Sequence, residues 1–189
     1  MFLFMGLCLV QLLHASPDQK KPIEINNGLL KIVFNGNTGE LVEMAALKEE
    51  DGVIVGRKTA GRSPWEIVIG NGSDAVVLNA QSAKNFSSRQ NGHQLELKWS
   101  GFNKRSPGFA VTANVKLLPD SAMSVWNIRL DGMRGLLVSK VTFPKITGIA
   151  DLGNEALAAP DWMGSLLLSP RTELKAMKPG AKRFGWNYP

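Results

Sequence analysis

A chain of 189 residues with 44% hydrophobic side chains is long enough to bury a sizeable core, and it suits one domain or one domain with the start of another. Its 22 Lys and Arg against 16 Asp and Glu leave a formal net charge of +6, an excess that attracts nucleic acid, an anionic membrane or an acidic polysaccharide. One cysteine excludes an internal disulfide and a thiolate metal centre.

Residues Met1 to Ala15 contain no Lys, Arg, Asp or Glu. Phe2 to Leu13 are mostly apolar, and Leu13-His14-Ala15 puts a small residue before Ser16, as at a signal-peptide cleavage site. Residues 1–15 therefore read as a secretory signal peptide that lacks the usual positive start, and the protein is expected to be secreted or periplasmic. The apolar run is about a dozen residues, short of the ~20 a spanning helix needs, so no membrane span is expected. Export also makes nucleic acid the poorest of the three partners, and none is expected. Cys8 lies in the segment to be removed, and bulky Leu7 before it does not suit lipoprotein processing. The mature chain is then thiol-free. Residues 16–22 read as a linker.

From residue 23 to residue 169 the pattern is that of an all-β domain, an antiparallel β-sandwich. Leu29 to Phe34 and Glu40 to Met44 flank Asn35-Gly36-Asn37-Thr38-Gly39, whose Asn and Gly reach positive φ readily, and this is a hairpin signal. Glu43 to Glu50 is the best local helix candidate, either a single turn or a loop. His93, Leu95, Leu97 and Trp99 alternate with Gln94, Glu96 and Lys98. Phe109 to Leu117 and Trp126 to Leu130 alternate in the same way, with the period of two that marks half-buried strands. Asn71-Gly72, Asn91-Gly92, Pro119-Asp120 and Asp131-Gly132 supply turns between strands. Asn71-Gly72-Ser73 and Asn85-Phe86-Ser87 are glycosylation sequons, which matter only in a eukaryotic secretory pathway.

The alternation stops near Ala150. Asp151-Leu152-Gly153-Asn154 and Ala158-Ala159-Pro160-Asp161 read as loops, and Ser165 to Leu168 as one more short strand. Residues 170–189 form an irregular C-terminal segment, a loop or linker that is expected to lead into a downstream domain. This stretch is basic: Arg171, Lys175, Lys178, Lys182 and Arg183 face only Glu173.

No complete catalytic signature is present, and no catalytic residue, cofactor or metal is assigned. His93 is the only histidine after the signal segment and sits beside a turn, so it reads as a rim or packing residue. A zinc site draws on several Cys and His side chains, which this chain lacks. Glycosidases need a pair of carboxylates; Asp151, Glu155 and Asp161 fall in the loop-rich part. Asp161 beside Trp162 is a candidate sugar subsite, with the indole stacking on C–H faces and the acid accepting from hydroxyls, although such a pair is more often an ordinary loop anchor. Trp186, Asn187 and Tyr188 in a Pro- and Gly-framed loop either contact a ligand or plug a domain junction. Arg171 offers a rigid donor fork for a carboxylated or sulfated sugar. Trp65, Trp99 and Trp126 lie on strand patterns and read as core.

Four stretches carry a resemblance: Leu29-Leu30-Lys31-Ile32-Val33-Phe34 with Gly39-Glu40-Leu41; Ser63-Pro64-Trp65-Glu66-Ile67; Val138 to Gly148 around Phe143-Pro144; and Gly185-Trp186-Asn187-Tyr188-Pro189. From Ile23 to Pro189 the chain resembles the N-terminal galactose-mutarotase-like β-sandwich of large secreted bacterial proteins related to glycoside hydrolases. In those proteins a catalytic (α/β)8 barrel follows the sandwich. The resemblance implies a supersandwich that packs on the barrel and helps shape a cleft for an oligo- or polysaccharide. It also implies a parent glycoside hydrolase whose catalytic acids belong to the barrel, so that this part alone is not catalytic. Mutarotases use histidines and a glutamate on the sandwich, and His93 alone does not meet that requirement. A stand-alone carbohydrate-binding module and a polysaccharide lyase sandwich domain are the alternatives, although lyases of that type place a helical toroid before the sandwich.

Overall fold

The computed structural model describes residues 20–48, 52–56, 62–102, 108–159 and 165–175. The signal segment, Asp161, Trp162 and the segment from 176 onward, with Trp186, Asn187 and Tyr188, lie outside the described residues.

The first four strands, β1 (Ile23–Asn26), β2 (Leu30–Phe34), β3 (Leu41–Ala46) and β4 (Val53–Val55), form an antiparallel sheet in chain order. The β2–β3 connection is the expected hairpin loop. Asn35 accepts from the Asn37 and Thr38 amides through its side chain, its own amide donates to the Glu40 carbonyl, and Gly39 turns at φ +68°. Next come β5 (Glu66–Ile69) and β6 (Val76–Asn79), joined through Asn71-Gly72 and a short 3-10 turn. β7 (Asn85–Asn91), β8 (Gln94–Ser100), β9 (Ala110–Leu117) and β10 (Ser124–Asp131) then build a second four-stranded antiparallel meander. β11 (Val138–Thr142) returns to pair with β5 and completes a three-stranded sheet, β11-β5-β6. A hairpin of β12 (Leu157–Ala159) and β13 (Ser165–Leu167) and a short helix, α1 (Pro170–Lys175), follow.

Burial explains this arrangement. Ile25, Ile32, Phe34 and Leu41 from the first sheet share one apolar cluster with Trp65, Ile67 and Leu78 and with the inward positions of β8 and β9. In the two central strands of the β7–β10 sheet every second residue faces that cluster: Leu95, Leu97 and Trp99 on β8, and Val111, Ala113, Val115 and Leu117 on β9, are all fully or nearly fully buried. The fold is an all-β antiparallel sandwich around a single core, as the period-two pattern predicts. Trp65 and Trp99 are core residues, and Trp126 is half-buried against Phe34 and Phe143. His93 stands at the rim, its Nδ1 3.0 Å from the Asn26 carbonyl.

Three local expectations are corrected. Glu43 to Ala46 is strand, not a helical turn or loop: Val33 pairs with Glu43 and Lys31 with Ala45, and Lys31 Nζ lies 2.6 Å from the Glu43 carboxylate. Cross-strand pairing there overrides the helix propensity of Glu, Met and Ala. Ala158 and Ala159 belong to a strand, because their backbone pairs with Leu166 and Ser165. The segment after Pro170 begins as helix rather than loop. Ser169 precedes proline at the first helical position, where a missing N–H costs nothing, and the Glu173 amide donates to the Ser169 carbonyl at 3.0 Å.

Candidate functional site

Of the residues that the sequence marks for ligand contact, Arg171 is the one among the described residues. It occupies the second position of α1, facing the 150–155 loop. That loop is held on the sandwich where the Ala150 amide donates to the Ile54 carbonyl at 2.8 Å and Ile149 bridges to Val55. It then turns at Gly153, whose amide donates to the Asp151 carboxylate at 3.0 Å. Arg171 Nη2 donates to Glu155 Oε2 at 3.0 Å and to the Ala150 carbonyl at 2.5 Å, while Nε pairs with Glu155 Oε1. The guanidinium is thus joined to Glu155 by one hydrogen bond through Nη2 and by an ion contact at Nε, which makes no hydrogen bond among the described residues. The hydrogen bond to Glu155 raises the Arg171 pKa, burial opposes it, and the charges of Glu155 and Asp151 add to the rise.

Around this fork lies a cleft of about 210 Å³, lined by Asp151, Asn154, Glu155, Ser169, Arg171 and Thr172. These six side chains are donors and acceptors of the kind that match sugar hydroxyls, and Leu168 and Pro170 add apolar lining. Nη2 of Arg171 is committed to Glu155 and the Ala150 carbonyl. The structure thus joins two residues that the sequence offered separately, the Glu155 carboxylate and the Arg171 fork. Asn154, Ser169 and Thr172 were not anticipated. The Ser-Pro pair ahead of Arg171 was the available signal, because it places a helix start here. Asp161, Trp162, Trp186, Asn187 and Tyr188 lie outside the described residues.

Among the described residues no group of three or more His, Cys, Asp or Glu is placed to hold a metal ion. No helix among them is long and apolar enough to cross a membrane. No family model matches the sequence, and no curated protein matches it significantly.

Proposed function

We propose that this chain is the non-catalytic N-terminal sandwich of an exported, glycoside-hydrolase-like protein. In this reading the sandwich is of the galactose-mutarotase-like type, packs on a downstream catalytic barrel and helps shape its glycan cleft. The observation that supports it is the pair of four-stranded antiparallel sheets closed on one apolar core without a thiol, the architecture implied by the resemblance from Ile23 onward. The test is the coding sequence beyond Pro189. Alternating strands and helices of a barrel with paired carboxylates are expected there, and a stop codon at that point defeats the proposal.

A second reading, a stand-alone carbohydrate-binding module, is favoured by the polar cleft at Arg171. Glycan binding by the isolated chain that disappears in Trp162→Ala or Trp186→Ala supports this reading, and a flat response across neutral and acidic glycans counts against it.

A further inference from the structure

The β7–β10 sheet has a second face, turned away from the core, and the register fixes what it displays. Arg89 on β7 stands opposite Glu96 on β8, which stands opposite Asn114 on β9 and, beyond it, Asn127 on β10. One step along, Asn91, Gln94 and Lys116 form the next row. On the other side Ser87, Lys98 and Arg129 form another, with Thr112 buried between Lys98 and Arg129. A slip of one residue would bury these groups and expose Leu95, Leu97 and Trp99, so the core itself holds the polar set outward. A groove of about 200 Å³ crosses this face, lined by the side chains of Arg89, Asn91, Gln94, Glu96, Asn114 and Lys116.

Charge and chemistry narrow the occupant. The face carries Arg89, Lys98, Lys116 and Arg129 against Glu96 and Asp131, and Arg129 already pairs with Asp131 at 3.2 Å. Arg89, Lys98 and Lys116 thus surround one carboxylate, a local excess of positive charge. Asn91, Gln94 and Asn114 both donate and accept, which suits hydroxyl groups. The aromatic side chains of these strands, Phe86, Trp99 and Trp126, point to the core side and leave no ring for stacking nucleic-acid bases. Val125 is the lone apolar side chain of any size on the face, too little to enter a membrane interface.

We propose that this outer face binds an acidic polysaccharide, a chain of uronate sugars lying across β7, β8 and β9. Its carboxylates meet Arg89, Lys98 and Lys116, and its hydroxyls meet the amide side chains between them. The inference rests on the carbohydrate reading above but concerns a surface remote in sequence from Arg171. It stands or falls on binding, whereas that reading stands or falls on the downstream coding sequence.

The test is affinity electrophoresis of the purified chain in gels containing polygalacturonate, with dextran and duplex DNA as comparison polymers. Retardation by polygalacturonate is expected. The double variant Lys98→Ala/Lys116→Ala should weaken it about tenfold, a loss of about 1.4 kcal/mol. Arg89→Ala should weaken it as well, and Lys48→Ala, a cation on the loop after β3, should leave it unchanged. All four substitutions are at exposed positions, and circular dichroism confirms that the variants fold. Absence of retardation, equal loss in Lys48→Ala, equal retardation by dextran, or equal retardation by DNA overturns the proposal.

Discussion

Trp65 and Trp99 meet edge to face with ring centroids 5.6 Å apart and planes inclined by 70°. One ring comes from the segment leading into β5 and the other from β8, so this contact locks two sheets together. The two indoles differ in one respect. Trp99 Nε1 donates to the Thr38 carbonyl at 2.7 Å, whereas Trp65 Nε1 is buried and has no hydrogen-bond partner among the described residues.

Trp99→Phe removes a hydrogen bond along with volume, and Trp65→Phe removes an unsatisfied donor along with volume. Trp99→Phe is therefore expected to be the more destabilising by about 1–2 kcal/mol. Urea unfolding followed by circular dichroism measures both, and the reverse order contradicts this account of the pair.

Gly39 brings the β2–β3 loop against the same aromatics. A Cβ there would stand 2.3 Å from the Phe86 ring and 2.7 Å from that of Trp99, at a φ of +68°. Gly92 also has positive φ, +54°, but nothing lies within 4 Å of its added Cβ. Gly92→Ala is expected to cost about 1 kcal/mol from backbone strain alone, and Gly39→Ala clearly more. Equal unfolding midpoints for the two variants would show that the close approach is absent.

Glu66 and Lys145 form an ion pair between β5 and the segment that follows β11. The hydrogen bond from Lys145 is the main cause that lowers the Glu66 pKa below its ordinary 4.5, with the Lys145 charge next and burial opposing. A depressed folded-state value means that the stabilisation is complete above about pH 4.5 and is lost as pH falls through the lower folded value. The stability gap between the wild type and Glu66→Gln should therefore be full at neutral pH and shrink in the acid range. A gap independent of pH contradicts the pairing.

Arg171 fastens the 150–155 loop to α1 through Glu155 and the Ala150 carbonyl. Arg171→Ala should speed hydrogen exchange at the Ala150 and Gly153 amides a few-fold while leaving the urea midpoint of the sandwich in place, because a solvent-screened ion pair contributes little to global stability. Arg171→Lys keeps the charge and loses the fork, and should fall between the two. Unchanged exchange at both amides would mean that the fork does not hold the loop.

The strands were legible where one face is buried and the other wet. Leu95, Leu97 and Trp99 against Gln94, Glu96 and Lys98 leave no other reading, and the Asn35 to Gly39 loop announces its own turn. Glu43 to Ala46 was legible only in part: Glu40 to Met44 reads as a hairpin flank, but Glu, Met and Ala favour helix from Glu43 on, and only pairing with β2 decides. Ala158 and Ala159 have no amphipathic pattern at all, and their strand exists through β13. At the cleft, Glu155 and Arg171 were each visible as charged residues, but nothing in a linear chain says that they face one another across a helix start. The polar face of the β7–β10 sheet was hidden for the same reason. Its cations come from four strands and become neighbours only through register.

We propose that this sandwich belongs to a carbohydrate-active protein without being its catalyst. The decisive measurement compares the full gene product with the chain ending at Pro189 for release of reducing ends from a panel of polysaccharides. Turnover by the full product and none by the shorter chain is the predicted result. Turnover by the shorter chain alone, or none by the full product on any polysaccharide, contradicts the claim.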